Sequence, residues 1–129
     1  EPGDAPPPVE WPEGWAIVHV PGWNTATVLV LLAHLTETKA VHFGDLDPNG
    51  LRIYRHLAAA RPGLAWFVPA FWAEYVSKRS LRTIWPEQLS LDGAPDLVRS
   101  LAHSGRWLEQ ETIVLDPRLP SELEVSIRE

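Results

Sequence analysis

Cysteine is absent from the chain, which excludes disulfide staples and thiolate zinc sites and leaves oxygen or imidazole atoms as metal ligands. A surplus of positive charge is missing as well. The formal net charge is -6, so a general basic face that grips nucleic acid everywhere is excluded and any DNA contact has to be local. Long apolar runs are also lacking: the longest, Ala26 to Leu35, is about ten residues against the roughly 20 that cross a bilayer. The opening Glu1 to Glu13 is acidic and proline-rich, without the basic region and apolar core of a secretory signal. No repeat recurs along the chain at any period of solenoid or propeller length. These absences lead us to expect a cytoplasmic protein that does not enter the membrane.

What is present suits one ordinary folded domain. The chain has 129 residues, 45% apolar and 22% charged, enough for a single hydrophobic core and too few for two full domains. Pro2, Pro6, Pro7, Pro8 and Pro12 with Gly3 and Gly14 mark residues 1–15 as an arm or linker, leaving 16–129 as the domain. Ala16 to Val20 reads as a buried strand stopped by Pro21-Gly22. Asn24 is placed to cap a largely apolar helix that reaches about Leu35. Ala40 to Gly44 reads as the next strand, Leu51, Tyr54, Leu57 and Ala58 recur at helical spacing, Pro62-Gly63 ends that helix, and Leu64 to Val68 is a third strand.

This alternation implies an α/β fold: a small, mostly parallel sheet flanked by helices, with ligands bound at the carboxyl edge of the strands. Beyond Pro69 the pattern is less regular. A short helix is expected between Pro69 and Pro86 and another from Pro95 to His103, stopped at Gly105. A last one is expected in the tail, capped by Ser121 with Glu124 three positions on.

The chemistry concentrates in Asp45-Leu46-Asp47-Pro48-Asn49-Gly50, at the carboxyl end of the second predicted strand. Two aspartates one residue apart in extended chain project to the same side, and a turn directly after them lets both carboxylates meet one hard cation. Mg²⁺ suits such a sparse site, because one or two carboxylates usually share it with waters and phosphate oxygens. Asp, Pro, Asn and Gly also build turns for purely local reasons, and that structural alternative stays open. A calcium EF-hand does not fit: its twelfth loop position is His56 and a strand, not a helix, leads in.

The run from Val41 to Ile53 resembles the Asp-x-Asp-Pro-x-Gly motif of Toprim domains in the topoisomerase VI A subunit and meiotic recombination nuclease group. It is most similar to the C-terminal domain of JetD-like proteins, the nuclease subunits of Wadjet anti-plasmid defence. Val20-Pro21-Gly22-Trp23-Asn24-Thr25-Ala26 resembles their glycine-containing strand-to-helix turn, and Gly105 to Ile113 resembles their Leu-Glu-Gln-Glu segment, in the same order. The likeness covers roughly residues 16–115.

The resemblance implies a Toprim-like domain of a larger protein that cleaves or processes DNA with Mg²⁺ or Mn²⁺ held by Asp45 and Asp47. The cation would stabilise charge developing on phosphate. Toprim sites also use a glutamate at the end of an earlier strand. No strand is predicted before Ala16, and Glu1, Glu10 and Glu13 follow no apolar run, so that residue is not placed. Glu111, with Glu109, is a candidate further acid and also reads as a solvated face. The compact cluster Lys78, Arg79 and Arg82 is a candidate set of phosphate contacts or a solvated helix face. Arg52 and Arg55, which follow the acidic turn, either meet phosphate or balance the charge of Asp45 and Asp47. His42 reads as a strand residue, and Trp66 and Trp85 as core or interface rather than base-stacking platforms.

The expected partner is therefore DNA, engaged with help from other domains or subunits, with a homodimer formed through the parent protein compatible with the reading. Two other functions fit the same residues. One is a non-catalytic Toprim-like interaction domain that has lost the upstream glutamate, and the other is a small-molecule phosphotransfer enzyme of another α/β fold.

Overall fold

The computed structural model describes residues 40–128. The proposed arm at 1–15, the strand at Ala16 to Val20, the helix from Asn24, the glycine-containing turn at Val20 to Ala26, and Glu1, Glu10 and Glu13 all lie outside the described residues. Within them the chain is a small α/β unit of four helices and two two-stranded sheets, one of them parallel.

The parallel sheet is the element foreseen between Ala40 and Val68. Strand β1 (Val41–His42) leads through helix α1 (Pro48–Ala60) to strand β2 (Ala65–Trp66), with Val41 opposite Ala65 and His42 opposite Trp66. The Phe67 N–H extends the pairing by donating to the His42 carbonyl at 2.7 Å. Helix α1 begins three residues before Leu51, the first residue of its apolar repeat. Asp47 caps it, and Pro48 takes the first helical position, where its missing N–H costs nothing. Its inner face buries Leu51 and Leu57, and the Tyr54 hydroxyl donates to the Leu64 carbonyl at 2.7 Å, fastening helix to strand. The helix stops at Arg61, whose N–H bonds the Leu57 carbonyl. The chain then turns through Gly63 at φ 89°, a conformation suited to glycine.

A 3-10 turn (Ala70–Tyr75) running into helix α2 (Val76–Arg79) fills the place of the short helix expected after Pro69. Helix α3 (Asp96–Ser104) ends at Gly105 in the left-handed region, φ 66°, as its sequence indicates. A second sheet, the antiparallel pair of β3 (Leu81–Arg82) and β4 (Arg106–Trp107), is not expected from the sequence; of the two described sheets one is parallel. Two-residue strands with one arginine each carry no alternation long enough to betray them in sequence.

The last helix, α4 (Leu119–Arg128), also begins earlier than its sequence suggests. Ser121 lies inside it and is not its cap. Asp116 sets the entry instead: its carbonyl accepts from the Leu119 N–H at 3.0 Å and its carboxylate from the Arg118 N–H at 2.9 Å. The same buried carboxylate takes the Tyr75 hydroxyl at 2.6 Å and the Arg118 guanidinium at 2.8 and 3.0 Å. Arg118 then forks onto Glu74 at 3.0 and 3.1 Å, with its guanidinium 4.4 Å over the Phe71 ring. This clasp joins the 3-10 turn to α4 and holds the Asp116 carboxyl well below the usual carboxylate range, Arg118 being the largest cause and Tyr75 the next.

The four described helices and the parallel sheet contribute to or pack against one apolar core. Leu46, Leu51, Trp66, Phe67, Phe71, Trp72, Val98, Leu101, Leu108, Ile113, Leu119 and Leu123 form a single buried cluster. Each such large side chain removed from water stabilises the fold by about 1.5–3 kcal/mol before entropy is charged against it. Trp66 is in this core, as expected, while Trp85 is half-buried and donates its indole N–H to the Arg106 carbonyl at 2.8 Å.

Candidate functional site

Leu46 is the pivot of the acidic turn. Fully buried, it forms an antiparallel bridge with Leu108, its N–H 2.8 Å from the Leu108 carbonyl and the return bond 3.3 Å. Side chains alternate along extended chain, so burying Leu46 directs Asp45 and Asp47 to the other side, away from the core. Asp45 is exposed and Asp47 half-buried.

Each aspartate spends one oxygen on a backbone N–H. Asp45 Oδ1 accepts from Gln110 N at 2.7 Å, and Asp47 Oδ1 accepts from Gly50 N at 2.5 Å, the helix-capping bond of α1. Among the described residues neither carboxylate is in a salt bridge, and neither Oδ2 accepts a hydrogen bond. The two sense each other electrostatically. The Asp47 carboxyl is raised above its ordinary pKa chiefly by burial, the Gly50 N–H opposes that rise, and the charge of Asp45 adds to it. A cation bound between them would remove the last of these costs.

Gly50 has a geometric reason to be glycine. A Cβ there would sit 2.0 Å from the Asp45 carbonyl oxygen and 3.0 Å from Asp47 Oδ1. The first turn of α1 therefore lies directly on the Asp45 peptide, and only a residue without a side chain lets the capped helix close over the two aspartates.

The structure joins two segments that are more than fifty residues apart in sequence: the acidic turn and the Leu-Glu-Gln-Glu segment. Leu108 bridges Leu46, Gln110 holds Asp45, and Glu109 and Glu111 flank that contact. Glu111 is exposed on a 3-10 turn (Gln110–Ile113). No group of three or more His, Cys, Asp or Glu side chains able to hold a metal exists among the described residues, so neither Glu111 nor Glu109 completes a three-acid site. The carboxylates at the turn itself are the pair Asp45 and Asp47.

Arg52 is exposed on α1, and Arg55 turns away to donate to the Asp92 carbonyl at 3.1 Å, so it does not neutralise the aspartates. Lys78, Arg79 and Arg82 are exposed on α2 and β3. Sequence reasoning missed Arg106. It sits opposite Arg82 in the β-ladder and donates to Ser80 Oγ at 2.6 Å and the Ser80 carbonyl at 2.7 Å. Its only sequence signal was membership of the Gly105 to Ile113 segment.

His42 packs in the interior between Tyr54 and Trp66, with ring centroids 5.9 and 5.8 Å away, and burial pushes its pKa down to about 4. It is neutral at physiological pH. No described helix is long and apolar enough to cross a membrane. No family model, curated protein or solved structure matches the chain.

Proposed function

We propose that the chain is a Toprim-like, metal-dependent domain for processing DNA, of the kind found in JetD-like and topoisomerase VI-like proteins. Asp45 and Asp47 hold Mg²⁺ or Mn²⁺ against a backbone phosphate. One observation carries the reading. Two carboxylates leave the core together just beyond a parallel strand, and among the described residues each keeps one oxygen without a hydrogen-bond donor and neither is neutralised by a basic side chain.

The donor set fits the ion. A hard, mostly hydrated cation is commonly held by one or two carboxylates, and a pair without a third acid matches that pattern better than a closed cage for Ca²⁺. Bound there, Mg²⁺ or Mn²⁺ would supply Lewis-acid stabilisation of charge developing on a phosphate oxygen. The chain's own residues fix the geometry: Gln110 N–H orients Asp45, the first turn of α1 orients Asp47, and Leu46 anchors both to the core. Such a device functions within a larger protein that contributes other domains or subunits to hold substrate.

A second reading draws on the same bonds. Asp47 is a helix cap and Asp45 a tether for Gln110, so both aspartates have structural uses that a non-catalytic interaction domain would retain. Asparagine separates the two readings, because it accepts the same backbone N–H bonds and is an excellent helix cap, yet carries no charge for a cation. In a nuclease assay on the parent protein with Mg²⁺ or Mn²⁺, Asp45→Asn and Asp47→Asn should each abolish cleavage while leaving the thermal midpoint near the natural value. Undiminished cleavage in both variants sinks the metal reading.

A further inference from the structure

We infer that the β3–β4 ribbon is a seat for the phosphodiester backbone of duplex DNA, with Lys78, Arg79 and Arg82 as phosphate donors and Arg106 as their structural support. The inference rests on the proposed phosphate chemistry at Asp45 and Asp47 and adds to it a place where this chain itself grips substrate.

The ribbon gathers cations on an acidic protein. Lys78 and Arg79 close the last turn of α2, and Arg82 follows on β3, directly opposite Arg106 on β4. Like charges facing each other across a ladder are destabilising. Arg106 is committed to Ser80, the residue that ends α2, through both its Nε and Nη2 donors. Lys78, Arg79 and Arg82 are exposed, and no carboxylate among the described residues pairs with any of them. Three cations without a carboxylate partner among the described residues, on a chain of net charge -6, are complementary to an anion from outside.

Chain geometry favours nucleic acid over an acidic protein. The segment that carries Arg106 runs on through Leu108, which bridges Leu46, to Gln110, which holds Asp45. Four residues of extended chain span about 13 Å, the axial length of about four nucleotides in one DNA strand. A short segment, β4 followed by the Leu108 bridge, therefore links cationic seat and metal turn, and a polymer with phosphates at regular intervals can reach both. Leu81, 48% exposed, and Ile84, 87% exposed, flank Arg82 and offer apolar surface to the sugars between phosphates.

The test is equilibrium binding of a fluorescent duplex of about 20 base pairs to the full chain in EDTA, across about 10 to 100 mM salt. With three phosphates engaged, the logarithm of affinity should fall with the logarithm of salt at a slope of about -2.7, a loss of roughly 500-fold over that range. Lys78→Gln, Arg79→Gln and Arg82→Gln should each reduce the slope by about 0.9, the triple variant should lose binding, and Arg99→Gln on α3 should change nothing. A triple variant with the natural slope overturns the inference, as does absence of duplex binding by the natural chain at the lowest salt. Tighter binding of polyglutamate or of anionic vesicles than of duplex through the same three residues also overturns it. Because EDTA removes the metal, failure here leaves the Asp45 and Asp47 reading standing, and failure of metal binding leaves this slope unaffected.

Discussion

Replacing Gly50 by alanine sets two physical effects against each other. Helix propensity alone favours the change, since alanine stabilises a helical position by up to about 1 kcal/mol over glycine. Sterics oppose it. The new Cβ would lie 2.0 Å from the Asp45 carbonyl oxygen, far inside the 3.4 Å at which ordinary contact begins. That carbonyl cannot retreat freely, because Leu46 is laddered to Leu108 and Asp45 is tied to Gln110 N. The first turn of α1 has to lift by more than an ångström, which breaks the Asp47 cap. Overpacking costs about 1–3 kcal/mol and a lost cap about 1 kcal/mol, so the net effect after the propensity gain is a destabilisation of roughly 1–3 kcal/mol. Urea denaturation followed by far-UV circular dichroism reads this directly. With a slope of about 1.5 kcal/mol per molar, the midpoint should fall by roughly 0.7–2 M. A midpoint equal to or above the natural one would refute the close approach of helix and acidic turn.

Three other perturbations follow from the same contacts. Asp47→Ala should cost about 1 kcal/mol in the same denaturation experiment, whereas Asp47→Asn should cost only a few tenths, because asparagine keeps the cap. Since the Asp116 carboxyl is depressed by Arg118 and Tyr75, its stabilisation is present above the ordinary carboxylate pKa and fades as pH falls through the lower folded value; Asp116→Asn should flatten the fall of thermal midpoint below about pH 4. His42, held at about 4 by burial, takes up its proton more readily in the unfolded chain. Stability should therefore decline as pH drops from about 6.5 toward 4, by at most about 3 kcal/mol, and His42→Phe should remove that slope in pH-dependent melts.

Local signals in the sequence led to local features of the fold. Leu51, Tyr54 and Leu57 marked the inner face of α1, Pro62-Gly63 marked its end and Gly105 the end of α3, because backbone chemistry at those positions is decided within a few residues. The start of α4 was misread at Ser121, since the capping pattern there was locally plausible while Asp116 gained its hold from Tyr75, 41 positions away. The same limit applies at the candidate site. Asp45 and Asp47 stood out by spacing, but nothing local announces that Gln110 restrains one of them, that Leu46 pairs with Leu108, or that Arg106 stands opposite Arg82. Long-range pairing of two-residue strands leaves no periodic trace, and a glycine's need for empty space becomes visible only when the neighbouring carbonyl is located.

The central claim is that Asp45 and Asp47 share one hard cation, and Mn²⁺ binding followed by electron paramagnetic resonance tests it most directly. Titration of the natural chain should show one saturable Mn²⁺ site, displaced by Mg²⁺ and lost in both Asp45→Asn and Asp47→Asn while their melting midpoints stay unchanged. Equal Mn²⁺ binding by the natural chain and the two asparagine variants, or none by any of them, would contradict the claim and leave the pair as a helix cap and a strand tether.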